Sequence, residues 1–220
     1  MADLGPNYHW RMGGITVQGV EDYLYSLLPA RDEVLAEMEA EAAKNKVPII
    51  GPAVARVLYQ LATISGARRV FEMGSAIGYS TIWLARAVGG GGRVVYTDGN
   101  KKNADKARRY FERAGVADRI TIRTGDALEF LSEETEPYDI IFCDVDKTDY
   151  PRAFRMALSH LKSGGLFLAD NVLWSGKVSQ PNPDAETRAI LDLNQLMYQS
   201  PDVYTTILPL RDGLSVCVKK

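Results

Sequence analysis

From Arg69 onward, short apolar runs alternate with longer amphipathic runs along the chain. Each apolar run is six or seven residues long and precedes a stretch in which apolar residues recur at helical spacing. This alternation predicts an α/β fold, in which right-handed crossovers build a mostly parallel sheet with helices on both faces. The predicted strands are 69–74, 93–98, 119–124, 138–144 and 165–170, and the predicted helices are 79–88, 100–114, 127–134, 150–161 and 184–198.

Both ends of the chain depart from this alternation. Near the C-terminus two β-rich runs, 203–210 and 213–218, meet at Arg211-Asp212-Gly213, which predicts an antiparallel hairpin at the edge of the sheet. Residues 17–64 carry three apolar faces at helical spacing and predict a helical cap. No repeat divides the chain, so we expect one domain over residues 1–220, with 1–64 as the cap and 65–220 as the core.

Composition and charge narrow the class of protein. Of 220 residues, 46% are apolar and 25% charged, which is typical of a globular protein, and the net charge of −2 disfavours general binding to polyanions. Cys143 and Cys217 lie in apolar runs and are expected to be free core thiols of a reduced protein. No apolar run reaches membrane-spanning length, and residues 1–6 lack the features of a signal peptide. We therefore expect a cytoplasmic protein without a membrane partner.

The turn after the first predicted strand contains two glycines in the sequence Glu72-Met-Gly74-Ser-Ala-Ile-Gly78. Its spacing is G-x-x-x-G and not the G-x-G-x-x-G of dinucleotide folds, and Glu72 would repel a pyrophosphate but attract a cation. Asp98 ends the second strand, where an acidic residue binds ribose hydroxyls. A ligand with a ribose, a positive charge and no phosphate fits, and S-adenosylmethionine is such a ligand. Gly125-Asp126-Ala127 suits the adenine, although Asp126 alone is more typical of a helix N-cap.

Carboxylates and an amide follow the fourth and fifth predicted strands. Asp144 and Lys147 follow one strand, and Asp170-Asn171 the other. Singly these residues would be a helix cap, a turn and a solvated lysine. Ends of neighbouring parallel strands meet at one edge, and such an oxygen-rich group suits a divalent cation of the Mg²⁺ type. With only two histidines in the chain, a zinc site is disfavoured.

Several of these motifs match a known family. Gly-x-x-x-Gly-Tyr-Ser, Asp-x-Asp-Lys, Asp170-Asn-Val-Leu-Trp and Asp212-Gly213-Leu214 resemble the cation-dependent class I O-methyltransferases, which include the catechol and caffeoyl-CoA enzymes. The resemblance runs from about Ile50 to the C-terminus. It implies a seven-stranded Rossmann-like sheet, usually a homodimer, and transfer of a methyl group from S-adenosylmethionine to a hydroxyl of a catechol-type or other vicinal-dihydroxy aromatic small molecule.

The resemblance also implies roles for individual residues. Asp144, Asp170 and Asn171 would bind Mg²⁺ or another divalent cation such as Mn²⁺ or Ca²⁺. Lys147 would deprotonate or orient the attacking hydroxyl, with Asp144 as its catalytic neighbour. Together with the chemistry of the glycine turn and of Gly125-Asp126-Ala127, it predicts these cofactor-binding residues: Ile50, Glu72, Gly74, Ser75, Gly78, Ser80, Asp98, Asp126, Ala127 and Asp144.

The acceptor side is predicted from the segment 173–185, a long loop directly after the proposed metal ligands. Trp174 would stack on an aromatic substrate or anchor the loop. Arg211 would meet an acidic acceptor or be a surface charge beside a turn. Lys147 completes the predicted substrate contacts, whereas Trp10 and Arg11 have no assigned role.

Other functions stay open on the sequence alone. A relative of the same fold would methylate a hydroxylated uridine in tRNA, using basic pairs at 68–69, 101–102 and 108–109. A non-catalytic S-adenosylmethionine-binding module would not need the Asp144, Lys147, Asp170 and Asn171 group, and a nicotinamide-dependent oxidoreductase is disfavoured by the loop spacing. Flavonoid, catechol, hydroxycinnamoyl thioester and nucleoside acceptors all fit the same residues.

Overall fold

The computed structural model describes residues 15–220. The first residues of the chain, including Trp10 and Arg11, lie outside this range. The helices are α1 (Gln18–Ser26), α2 (Glu33–Asn45), α3 (Gly51–Ile64), α4 (Tyr79–Val88), α5 (Lys101–Arg113), α6 (Ala127–Ser132), α7 (Tyr150–His160) and α8 (Ala185–Gln199). The strands are β1 (Arg69–Met73), β2 (Arg93–Asp98), β3 (Ile120–Thr124), β4 (Tyr138–Cys143), β5 (Leu161–Ala169), β6 (Val203–Leu208) and β7 (Leu214–Lys219).

The seven strands form one sheet in the order β3-β2-β1-β4-β5-β7-β6. The first five strands pair in parallel, whereas β7 runs antiparallel to both β5 and β6. The α/β fold, the C-terminal hairpin and the seven strands implied by the resemblance are therefore confirmed. Strand order reverses between β1 and β4, and a sheet of this kind binds its ligands at the carboxyl ends of the strands beside that reversal.

Side chains alternate between two apolar layers along the central strands, as a pleated strand requires. On β4, Ile140 and Phe142 pack with α1 to α5, whereas Ile141 and Cys143 pack with α6 to α8. Helices thus cover both faces of the sheet, and the described part of the helical cap packs on the first. Cys143 and Cys217 are buried and free, as predicted. Within residues 15–220, no helix is both long and apolar enough to cross a bilayer.

One strand begins earlier than its apolar content predicts. Leu161 follows α7 directly and pairs with Tyr138, and the register then shifts before Leu166 pairs with Ile140. A Cβ on Gly165 would come within 2.9 Å of the Lys162 carbonyl oxygen, so the shift needs a glycine at this position. The extra residues extend β5 backwards and leave its carboxyl end, which carries Asp170 and Asn171, where it was expected.

Candidate functional site

A cavity of about 680 Å³ opens at the carboxyl ends of β1, β2, β4 and β5, next to the strand-order reversal. Nine of the predicted site residues line its wall: Gly74, Asp98, Asp126, Ala127, Asp144, Lys147, Asn171, Trp174 and Arg211. Residues far apart in sequence are therefore brought together at the edge where parallel strands end. The predicted residues that do not line the wall are Ile50, Glu72, Ser75, Gly78, Ser80 and Asp170.

The two glycines of the first turn serve chain packing. Gly74 has a φ of 81°, and a Cβ there would approach the Asp144 carbonyl carbon to 2.7 Å. Gly78 has a φ of 85°, and a Cβ there would meet the ring of Phe111 on α5 at 2.5 Å. Both positions thus need a residue without a side chain. Gly74 also lies on the cavity wall, whereas Gly78 explains how α4 packs against α5.

Asp98 is held in place on the cavity wall by hydrogen bonds from two sides. Its Oδ2 accepts from the Ala76 amide at 2.9 Å, and its Oδ1 accepts from the Asn100 amide at 2.8 Å. The side chain of Asn103 adds a donor to Oδ1 at 3.1 Å. Asn103 also lines the cavity and was not predicted, although it follows the helix N-cap Asn100 by one turn. A fixed carboxylate of this kind is suited to binding vicinal hydroxyls.

The Glu72 carboxylate lies below the cavity wall, fully buried in the sheet. It accepts hydrogen bonds from the hydroxyls of Ser80 and Thr81. Burial raises the pKa of Glu72 to about 7, and the hydroxyl donors oppose this rise. Its contact with a cofactor, and that of Ser80, stay predictions.

This buried carboxyl predicts a pH dependence of stability. An acid whose pKa is higher in the folded than in the unfolded state binds a proton on folding, so its contribution is fully present below pH 4.5 and is lost as pH rises to about 7. A rise of that size corresponds to about 3 kcal/mol. We expect Glu72→Gln, an isosteric change, to raise the melting temperature at pH 8 and to flatten its fall between pH 5 and 8, measured without cofactor.

The comparison with wild type isolates Glu72 from other groups that titrate in the same range. Burial also raises the pKa of Asp170, to about 6, and that carboxyl is present in both proteins. Equal slopes of melting temperature against pH in the two proteins would contradict the prediction.

The neighbouring loops complete the part of the cavity wall around Gly74 and Asp98, which we call the first half of the cavity. Asp126 lines the wall and also caps α6, accepting from the Leu128 amide at 2.7 Å. Ala127 lies beside it. Ile50 is buried, and the wall is formed instead by Pro48 and Ile49, just before it in the chain. The contact of Ile50 with the cofactor stays a prediction.

The second half of the cavity is the part lined by residues that follow β4 and β5, and the Lys147 ammonium lies there between Asp144 and Asn171. Its Nζ is 2.8 Å from Asp144 Oδ1 and 2.8 Å from Asn171 Oδ1. It also donates to the Tyr150 hydroxyl at 2.6 Å. The predicted group at the ends of β4 and β5 is thus assembled in the structure, with a cation between a carboxylate and an amide oxygen.

Tyr150 is the first residue of α7, three positions after Lys147, and the structure gives its side chain a defined position. Its side chain is fully buried, and its hydroxyl donates to the Asp170 carbonyl oxygen at 2.9 Å. Burial raises the pKa of this phenol well above its ordinary value, so the hydroxyl stays protonated. Because the hydroxyl accepts from Lys147 while it donates to β5, it fixes the lysine on the strand end.

Asp170 is fully buried and shares its two oxygens unequally. Oδ2 accepts from Arg211 Nη1 at 2.6 Å, whereas Oδ1 has no hydrogen-bond partner among the described residues. Burial raises the pKa of Asp170 to about 6, and the Arg211 guanidinium opposes this rise. Arg211 is itself only 7% exposed, so it is not a surface charge.

The oxygen donors at this site fit a hard divalent cation. Asp144 and Asn171 already direct an oxygen at one cationic group, and a buried oxygen of Asp170 accepts no hydrogen bond from residues 15–220. Residues 15–220 contain no cluster of three or more His, Cys, Asp or Glu suited to a metal. A cation here would therefore rest on two carboxylates and an amide, and would have to displace the Lys147 ammonium.

The described part of the cavity wall is strongly acidic. Trp174 forms part of it, at the start of a turn segment, 174–179, that is kinked at Ser175 and Gly176 within the predicted long loop. The lining cations among residues 15–220, Lys147 and Arg211, are both ion-paired. The lining carboxylates are Asp98, Asp126, Asp144, Asp146, Asp149 and Glu186.

Comparison with known proteins places this cavity in context. The O-methyltransferase family model matches residues 26–220. The chain is 32% identical over 215 residues to a catechol O-methyltransferase of Niastella koreensis, covering 92% of this chain and 97% of that protein. It is 31% identical to caffeoyl-CoA O-methyltransferase 1 of Eucalyptus globulus, covering 87% and 84%. The structure of an O-methyltransferase from Bacillus cereus in complex with SAH superposes with a TM-score of 0.83 at 36% identity, covering 92% and 97%.

Proposed function

The chain belongs to the O-methyltransferase family and is an S-adenosylmethionine-dependent O-methyltransferase of the catechol and caffeoyl-CoA type, and we propose that its acceptor is a small catechol and that a divalent cation takes part. The observation that carries the proposal is the group formed by Lys147, Asp144 and Asn171 on the wall of the cavity. A protein that only bound the cofactor would have no use for such a group.

The first half of the cavity supports the cofactor assignment. Asp98 presents a fixed carboxylate for the ribose hydroxyls, and Ala76, Asp126 and Ala127 offer backbone and side-chain contacts around it. The relative from Bacillus cereus was solved with SAH, which is the demethylated form of the proposed methyl donor. The acidic wall suits a sulfonium, because a positive charge is stabilised among carboxylates.

The charge of the cavity supports a small acceptor without phosphate groups. Among residues 15–220, six carboxylates line the wall, and the lining cations Lys147 and Arg211 are both paired. A phosphate of a CoA thioester or of tRNA would lie near carboxylates of the same charge, and this repulsion would weaken its binding. We therefore favour a neutral or cationic catechol over the caffeoyl-CoA and tRNA acceptors.

The residues of the second half would prepare the acceptor for in-line transfer. The sulfonium is already a strong electrophile, so the protein has to hold an oxygen nucleophile in line and remove its proton. Lys147 would take that proton if it has first lost its own and is a neutral amine, or would orient the oxygen as an ammonium. Tyr150 and Asn171 fix the position of its Nζ. Trp174 would cover the ring of the acceptor at the rim.

Asp144, Asp170 and Asn171 would hold the divalent cation. When bound, it supplies Lewis-acid stabilisation of the acceptor oxygen. The chain's own part is to present the three oxygens, with Asp170 kept ionised by the buried guanidinium of Arg211.

We also propose that the protein is a homodimer in the cytoplasm. Helix α1 supports association, because it exposes a set of large apolar side chains, and such faces are typical of protein interfaces. These side chains are Val20, Tyr23 and Leu24 on the helix and Val17 and Leu27 at its ends.

A methyl-transfer screen tests the acceptor. We expect S-adenosylmethionine and Mg²⁺ to yield a product one methyl heavier from dopamine and from catechol, detected by mass spectrometry. Tyramine is the matched control, because it lacks only the second hydroxyl, and we expect no product from it. Caffeoyl-CoA and undermodified tRNA form two further arms. Methylation of either, with dopamine and catechol unchanged, would contradict the proposal.

A further inference from the structure

The turn between β6 and β7 lies directly against the chain that follows β5. The contact lies beyond Ala169–Ser215, the last residue pair between β5 and β7. The Val172 amide donates to the Gly213 carbonyl at 3.1 Å, and the Leu173 amide donates to the Asp212 carbonyl at 2.9 Å. Gly213 has a φ of 87°, and a Cβ there would meet Leu173 Cγ at 2.5 Å. The backbone of this turn thus packs closely on residues 171–173 and is joined to them by two hydrogen bonds.

Asp212 uses both carboxylate oxygens to hold that segment. Its side chain is fully buried, and Oδ2 accepts from Asn171 Nδ2 at 3.3 Å. Oδ1 accepts from the Ser175 amide. Asp212 does not itself line the cavity. It therefore contacts residues of the site, and we do not expect it to contact a bound cofactor or acceptor.

An ionised carboxylate accepts hydrogen bonds only, and this decides which way the neighbouring amide faces. Asn171 has to turn its Nδ2 toward Asp212, so its Oδ1 points to the opposite side, where it accepts from Lys147 at 2.8 Å. With the amide reversed, a donor would face the lysine and the cation ligand would be lost. The backbone of Asn171 also has a φ of 61°, a conformation that the surrounding contacts have to maintain.

We propose that Asp212 is a positioning residue that fixes the side-chain amide of Asn171 with its oxygen toward the cation site. The inference rests on the proposed function, since it assigns Asn171 as a ligand of the divalent cation. The preceding residue acts in parallel, because Arg211 engages one oxygen of Asp170, while the other oxygen has no hydrogen-bond partner in the described part of the chain. Two consecutive residues of one turn thus contact the two consecutive proposed cation ligands that follow β5.

Mn²⁺ binding, followed by electron paramagnetic resonance, tests this role without methyl transfer. In Asp212→Asn the new side-chain amide can donate toward residue 171. It therefore favours the Asn171 side chain with its oxygen turned toward residue 212 and away from the cation site. We expect the Kd for Mn²⁺ to rise about 10–100-fold, as for other groups that orient metal ligands. The Kd for S-adenosylmethionine is expected to stay at its wild-type value, because Asp212 does not line the cavity.

The exchange Asn171→Asp with Asp212→Asn is the matched control. It keeps the net charge and the hydrogen bond between the two positions, and a carboxylate at 171 presents an oxygen whichever way it turns. We expect the exchange to bring the Kd for Mn²⁺ back toward the wild-type value, which loss of a purely structural contact would not do.

Each result decides the question. Unchanged Mn²⁺ binding in Asp212→Asn, or an exchange variant that binds as weakly as the single variant, would overturn the positioning role. Failure of wild type to bind Mn²⁺ would overturn the cation site itself, and the inference with it. If Asp212→Asn does not fold, the exchange variant decides alone: binding near the wild-type Kd supports the role, and absent binding overturns it.

Discussion

Removing divalent cations is expected to abolish methyl transfer while leaving the chain folded and able to bind S-adenosylmethionine. Asp144 and Asn171 direct oxygens at one point, and buried Asp170 adds an oxygen that no described residue engages in a hydrogen bond. Lewis-acid stabilisation of a phenolate is worth several kcal/mol, so we expect a loss of about 10³-fold in kcat. The measurement is the rate of dopamine methylation after treatment with EDTA.

Two controls separate this effect from unfolding. Excess Mg²⁺ added back should restore the rate, and the melting temperature and the Kd for S-adenosylmethionine should stay near their values before chelation. Full activity in EDTA would show that the chain needs no divalent cation and that Asp144, Asp170 and Asn171 have another role.

Replacing Lys147 with methionine is expected to lower kcat by about 10²–10⁴-fold, the usual contribution of a positioned acid or base. Lys147 Nζ lies among Asp144, Asn171 and Tyr150, at the point where the acceptor oxygen would be held. Its side chain is only 11% exposed, so bulk water cannot readily replace it. Single-turnover methylation of dopamine at saturating cofactor measures the effect on the chemical step.

The variant Lys147→Arg distinguishes the two roles open to this residue. Arginine stays protonated and can orient an oxygen, but it cannot take a proton. Activity within tenfold of wild type would assign an orienting role, whereas activity as low as that of Lys147→Met would assign proton transfer. Near-wild-type activity in Lys147→Met would remove the residue from the mechanism.

The sequence was most informative where the chain alternates strands and helices. Each central strand is a continuous apolar run, and the polar residue that ends the run has to emerge at the carboxyl edge. Asp98 and Asp144 follow this rule, and the structure places both on one cavity wall together with Asn171, the residue after the end of its run. Topology alone therefore predicted which distant residues would meet.

The sequence was less informative where tertiary contacts decide the direction of a side chain. Glu72 lies in β1 one residue before the turn, yet it points into the core, where two hydroxyls of α4 bind it. Arg211 belongs to a hairpin turn, which is typical of the surface, but Asp170 draws it inside. Neither partner is close in sequence, so neither contact leaves a local pattern.

The place of β7 in the sheet has a consequence for how the protein is made. This strand lies between β5 and β6, but it is synthesised after both of them. Until it emerges from the ribosome, β5 is an unpaired apolar edge, and such edges promote aggregation. Asp170 and Asn171 meanwhile lack Arg211 and Asp212. A ribosome that stalls before residue 211 would therefore expose a nascent chain with both an open sheet and an unfinished site, a natural substrate for chaperones.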